Sequence, residues 1–171
     1  MQAKFETSMI GELNHFLGLQ ICQQKSGIFL SQSKYARNLV KKFGLEYASS
    51  VRTLMSPNVK LTVDLLSKSV DSSLYRSMIS NFLYLTASRP DISYSVGVCA
   101  RYQANPKGSH VINLKRIIKY VKTTTDFGVW YSKDTNDVLA GYSNVDWAGN
   151  IDDRKSASRG CFMWVIILSP R

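Results

Sequence analysis

Apolar and polar residues first alternate at Leu17, Leu19 and Ile21, with Gly18, Gln20 and Cys22 between them. A period of two predicts a β-strand with one buried face. Lys25-Ser26-Gly27 supplies a turn and Ile28-Phe29-Leu30 a returning strand, so the pair reads as a β-hairpin. The period then lengthens. Tyr35, Leu39, Val40 and Phe43 fall at helical spacing, with Ser33 placed to cap the helix and Gly44 to stop it. From Ala48 to Ser72 the chain is polar, contains Pro57 and reads as an extended connector.

Three more helices are predicted. The first runs from about Leu74 to Ala87, with Leu74, Met78, Phe82 and Leu85 on one face. Pro90 and Asp91 open the next, since proline suits a first turn and an acid there complements the helix dipole. It should reach about Gln103. Its apolar residues Ile92, Val96, Val98 and Cys99 lie on several faces, which predicts a largely buried helix. Asn105-Pro106-Lys107-Gly108 breaks the chain, and Ser109 caps a helix ending near Lys122. Leu114, Ile117, Ile118 and Val121 form its inner stripe. After Thr123-Thr124-Thr125 the pattern returns to strands: Val129-Trp130-Tyr131, then Val138 to Ser143 beyond the turn residues Lys133 to Asp137, then Ser158 to Leu168. The order ββα, ααα, βββ is an α+β arrangement without internal repeats.

Composition adds little to this. The 171 residues, 44% hydrophobic with 10 Gly and 4 Pro, fit one ordinary domain or two small ones and exclude a collagen-like or wholly disordered chain. Charge adds more. There are 22 Lys+Arg against 12 Asp+Glu, a formal +10, which favours contact with polyanions. Lys34, Arg37, Lys41 and Lys42 decorate the first helix. Lys115, Lys119 and Lys122, with Arg116 beside them, line the outer face of the last. Between Tyr102 and Thr125 there is no Asp or Glu. A face of one sign repels itself without a counterion, so this helix is the best single candidate for phosphate contacts. The competing reading is an ordinary solvated face.

Cys22, Cys99 and Cys161 are far apart and His15 and His110 are isolated. A structural zinc site needs about four close ligands, so the cysteines read as packing residues in a reducing compartment. Met1 to Glu12 lacks the apolar core of a secretory signal. The longest apolar run, Cys161 to Leu168, has eight residues, short of the roughly 20 a membrane helix needs. The expectation is an intracellular protein of cytoplasm or nucleus, with no membrane partner.

Several segments, in order, resemble the reverse transcriptase region of plant Ty1/copia-type retrotransposon polyproteins. They are Gly11 to Ile21, Gly27 to Tyr35, Tyr75-Arg76-Ser77-Met78-Ile79, and Leu83-Tyr84-Leu85-Thr86-Ala87-Ser88-Arg89-Pro90-Asp91-Ile92. His110 to Tyr120 follows, then Trp130-Tyr131-Ser132-Lys133, then Gly141-Tyr142-Ser143-Asn144-Val145-Asp146-Trp147-Ala148-Gly149 with Asp152-Asp153-Arg154-Lys155-Ser156 behind it. The resemblance implies three parts. Residues 1–60 would be the end of the palm, with a hairpin that helps hold the primer end, and a helix. Residues 61–126 would be a helical thumb/connection-like segment cradling the template–primer duplex. Residues 127–171 would be the truncated start of a ribonuclease H-like domain.

The resemblance also says what is missing. Two-metal polymerisation needs clustered acids. In this family they lie upstream, the last two in a Tyr-x-Asp-Asp hairpin that this chain lacks. The family's first nuclease carboxylate falls here on Asn144, an amide that keeps an oxygen and loses the charge. The other nuclease carboxylates are expected beyond Arg171. Asp146 would share a strand face with Asn144, and Asp146, Asp152 and Asp153 read as solvated turn residues. Ser80 and Arg159 stand where the family usually has Gly. No cofactor is expected, although the intact family uses Mg²⁺. The expected function is that of a catalytically inactive polyprotein fragment that binds an RNA–DNA hybrid or DNA weakly and without sequence preference, with other parts of the polyprotein as further partners. The alternatives are polymerase activity only within a longer polyprotein, or a co-opted interaction protein. The segment also resembles stand-alone plant mitochondrial open reading frames and secreted RxLR effectors. For the last, Arg52-Thr53-Leu54-Met55 fails the final position of Arg-x-Leu-Arg.

Overall fold

Leu17 and Gly18 do not continue a strand. In the computed structural model, which describes residues 13–55, 61–133, 139–146, 157–164 and 166–170, β1 (His15–Phe16) and β2 (Leu19–Gln24) run antiparallel with Phe16 opposite Leu19. Leu17 (φ 47°) and Gly18 (φ 79°) are the central pair of the turn between them, the left-handed conformations of a type I′ hairpin turn. The alternation that predicted one strand therefore spans a reversal, and Leu17 is 76% exposed at its tip. A Cβ at Gly18 would meet the Tyr84 hydroxyl, which donates to the Leu17 carbonyl at 2.9 Å. The predicted hairpin is the next one, where β2 pairs with β3 (Gly27–Ser31) and Gln24 lies opposite Gly27.

Helix α1 (Ser33–Lys42) buries Ser33, Ala36, Leu39 and Val40. Ser33 is its first residue rather than its cap. Gln32 holds the cap position, but its amide is engaged elsewhere: Nε2 donates to the Tyr84 carbonyl at 3.4 Å and Oε1 accepts from Ser88 Oγ at 2.8 Å. Gly44 (φ 65°) stops the helix as expected. Its N–H donates to the Lys41 carbonyl (2.9 Å) and that of Leu45 to Val40 (3.1 Å), the paired bonds of a Schellman motif.

Helix α2 (Ser72–Leu85) starts at Asp71, whose carboxylate accepts from the Ser73 N–H at 2.8 Å. Met78, Phe82 and Leu85 are buried as predicted, but Leu74 is 49% exposed. Tyr75 takes the inner position instead and donates to the Cys99 carbonyl at 2.8 Å. Helix α3 (Pro90–Ala100) stops short of Gln103 and buries Ile92, Val96 and Cys99. Helix α4 (Gly108–Thr123) begins one residue before the expected Ser109 cap. Its cap is Lys107, whose backbone N–H donates to His110 Nδ1 at 3.0 Å, while His110 Nε2 lies 2.8 Å from the Thr62 carbonyl. An accepting Nδ1 leaves Nε2 to donate, which fixes the tautomer. Leu114, Ile117, Ile118 and Val121 are fully buried, as the stripe predicted. All four helices share one core, joined by Leu61 from the connector.

β4 (Phe127–Ser132) pairs back to β3, with Ser31 opposite Gly128 and Gly27 opposite Ser132. β5 (Leu139–Asp146) and β6 (Ala157–Trp164) form a separate antiparallel pair. β7 (Ile166–Pro170) joins β4, giving a five-stranded antiparallel sheet in the order β1-β2-β3-β4-β7. The expected strand from Ser158 to Leu168 thus falls partly in β6 and partly in β7, which belong to different sheets. Four helices with antiparallel sheets make the fold α+β. The turn expected from Lys133 to Asp137 reaches into 134–138, outside the described residues, as do Asp152 and Asp153. Among the described residues no helix is long and apolar enough to cross a membrane.

Candidate nucleic-acid interface

Helix α1 lies between α2 and the end of α4. Tyr35 on one flank donates to Asn81 Oδ1 in α2 at 2.9 Å. Arg37 on the other flank pairs with Asp126 just past α4 at 2.7 Å. Between these flanks the helix turns Lys34, Asn38 and Lys41 outward, three exposed positions at i, i+4 and i+7. Lys41 stands 3.9 Å from Glu46. Lys42 leans toward α2, with Nζ 3.5 Å from Asn81 Oδ1 and 5.7 Å from the Phe43 ring centre. Exposed ion pairs like those of Arg37 and Lys41 are worth about 0–1 kcal/mol, so a polyanion can displace them.

The cations of α4 divide into two groups. Lys115 is exposed and Lys119 half-buried on the outer face, with Ile112 (68% exposed) one turn before Lys115. Among the described residues, the side chains of Lys34, Lys115 and Lys119 make no hydrogen bond or ion pair. Arg116 and Lys122 are engaged. Arg116 Nε donates to the Thr53 carbonyl at 3.0 Å and Nη2 to Thr53 Oγ1, and Lys122 Nζ donates to the Ala48 carbonyl at 2.9 Å. The fold brings α1 and α4 into contact, and two of the α4 cations predicted from sequence, Arg116 and Lys122, hold the connector.

The nuclease-like positions lie apart from this surface in the chain. Asn144 and Asp146 sit two residues apart on β5, opposite Arg159 and Ala157 of β6. An amide at position 144 offers a divalent ion an oxygen without charge. No group of three or more His, Cys, Asp or Glu gathers among the described residues.

Sequence reasoning missed a heavily bonded group, the Arg89 guanidinium. Arg89 is 1% exposed. Its Nε and Nη2 grip Asp91 Oδ1 and Oδ2 at 2.9 and 2.7 Å, and Nη1 and Nη2 donate to the Thr124 carbonyl and Oγ1 at 2.7 and 2.8 Å. The Tyr120 hydroxyl donates to Asp91 Oδ2 at 3.0 Å. The rings of Tyr120 and Phe127 flank the guanidinium at 5.6 and 5.5 Å. Burial, reinforced by the Asp91 charge, pushes the Tyr120 phenol up. This network locks the α2–α3 corner to the junction of α4 and β4. The available signal was an Arg and an Asp flanking the proline of Ser88-Arg89-Pro90-Asp91-Ile92. Cys99 lies in the core, where burial pushes its thiol up to about 12.

No family model matches the chain, and no solved structure matches it. Curated relatives do. The retrovirus-related Pol polyprotein from transposon RE1 of Arabidopsis thaliana is 33% identical over 158 residues, 92% of this chain and 11% of that protein. An uncharacterized mitochondrial protein of Arabidopsis thaliana is 32% identical over 161 residues, 94% of this chain and 67% of that protein. A secreted RxLR effector protein of Plasmopara viticola is 33% identical over 98 residues, 53% of this chain and 69% of that protein. The chain spans about a tenth of the length of the Pol polyproteins it matches.

Proposed function

Because the chain belongs to the Ty1/copia-type family of retrotransposon Pol polyproteins, we propose that it is the duplex-binding stretch between the polymerase and nuclease centres of such a polyprotein, without chemistry of its own. In this reading the β1–β2–β3 hairpins lie near the primer end, α1 to α4 follow the duplex, and the strands from residue 127 onward begin a ribonuclease H-like domain. One observation carries the binding part. Lys34, Arg37 and Lys41 project from α1 and Lys115 from the adjoining α4, and the carboxylates that pair with Arg37 and Lys41, Asp126 and Glu46, are themselves exposed. Such a surface favours phosphate backbones of any sequence. Asn144, and the lack of a Tyr-x-Asp-Asp motif anywhere in the sequence, support the absence of chemistry.

The test is fluorescence anisotropy with a labelled RNA–DNA hybrid. About four phosphate contacts give a log–log salt slope of about −3.6, so affinity should fall about a hundredfold between roughly 50 and 200 mM salt. An affinity that stays flat over that range overturns the reading. Extension of a primed template above a blank, with Mg²⁺ or Mn²⁺ added, would overturn the claim of no chemistry.

A further inference from the structure

The connector after α1 does more than link helices. From Ala48 to Thr53 it runs antiparallel to α4, held at one end by Lys122 on the Ala48 carbonyl and at the other by Arg116 on the Thr53 carbonyl and hydroxyl. Arg116 and Lys122 are about 9 Å apart along the helix axis, at about 1.5 Å per residue. Lys119, between them, is half-buried. Apolar anchors flank the strap: Leu45 before it, Leu54 and Met55 after it, all packed against the helical core. The strap's own Ser49, Ser50 and Arg52 are exposed.

The chemistry of these contacts is unequal. Among the described residues these two cations are met by neutral oxygens and neither is paired with a carboxylate. A phosphate would offer the same acceptors with a full negative charge, and bonds between two ionised groups are the stronger kind. We infer that residues 48–55 form a strap that occupies part of the cationic face of α4, and that a nucleic-acid phosphate backbone competes with it for Arg116 and Lys122. This rests on the reading of the chain as a nucleic-acid binder. It sharpens that reading: with the strap down, contacts come from Lys34, Arg37, Lys41 and Lys115, and with the strap lifted the α4 face is added. Two sites competing for the same groups are linked, so backbone binding must open the strap.

Two experiments test this. Leu54→Ser/Met55→Ser removes the apolar anchors, and retained cooperative melting shows that it still folds. Its salt slope with the RNA–DNA hybrid should steepen by about 1.8, the value of two added contacts. Adding Arg116→Gln and Lys122→Gln to that variant should abolish the gain. An unchanged slope in the anchor variant, or a gain that survives loss of both cations, overturns the inference. The unmodified chain gives the second test, which is independent of any variant's folding. Excess hybrid at low salt should speed limited tryptic cleavage after Arg52 at least twofold, and unchanged or slower cleavage refutes competition. If the unmodified chain binds no hybrid while the anchor variant does, the strap stands and the simpler reading of the unmodified chain falls. If neither binds, both fall.

Discussion

Asp91→Ala strands the Arg89 guanidinium. That group is 1% exposed and donates four hydrogen bonds, two to Asp91 and two to Thr124. A hydrogen bond to a charged group contributes about 1.5–3 kcal/mol, so losing two costs about 3–6 kcal/mol. The independent expectation for breaking a buried pair from one side is about 3–5 kcal/mol. Arg89→Met should cost less. Asp91 is 16% exposed and keeps the Tyr120 hydroxyl as a donor, while a methionine refills the pocket between Tyr120 and Phe127. The double variant Arg89→Met/Asp91→Ala should then be more stable than Asp91→Ala alone, because no buried charge is left without a partner. Urea unfolding followed by tryptophan fluorescence reads all three, with the midpoint shifting at constant slope. A cost below about 1 kcal/mol for Asp91→Ala, or a double variant worse than that single one, would refute the account of this corner as a charge-paired lock.

Glycine replacements separate backbone strain from collision. Gly44→Ala has open space around its Cβ and should cost only the left-handed conformation, about 1–2 kcal/mol. Gly18→Ala adds a clash with the Tyr84 hydroxyl, so it should cost more by chemical denaturation, and Tyr84→Phe should recover part of the difference. Alkaline pH should destabilise the fold through Cys99. The unfolded thiol loses its proton near 9.0, whereas the folded one holds it to about 12. Above about pH 9 the unfolded chain binds fewer protons, so stability falls with rising pH until about 12, by at most about 4 kcal/mol. Urea midpoints at roughly pH 8 and pH 11 check this, and Cys99→Ala should flatten the decline in part, leaving the contribution of Tyr75, which burial also pushes up.

The helices were the most legible part of the sequence because their evidence is local. The inner stripe of α4, the Gly44 stop and the proline start of α3 each depend on residues within a turn or two of one another. Tyr75 displaced Leu74 because a tyrosine can be fully buried only if its hydroxyl finds an acceptor, and that acceptor is in another helix. Leu17 was misread because a tight two-residue turn preserves the alternation of a strand while reversing its direction. The partnership of β3 with β4, the lock around Arg89 and the strap on α4 join residues 35 to 105 positions apart. No periodic pattern carries that information. The cations could be identified from sequence, but which of them the chain itself had engaged could not.

The pairing of β3 with β4 also has a consequence in time. During synthesis β3 leaves the ribosome roughly a hundred residues ahead of its partner, a delay of about 5–20 s at ordinary elongation rates. Through that interval the β2–β3 hairpin presents an open edge, which is the kind of surface that recruits wrong strands. The four helices are made in the meantime, and their packing is what carries residue 127 back to residue 31. The helical core therefore acts as a timer as well as a scaffold. A substitution that slows its closure should lengthen the life of the open edge and lower the yield of the nascent chain, even where the finished protein is just as stable.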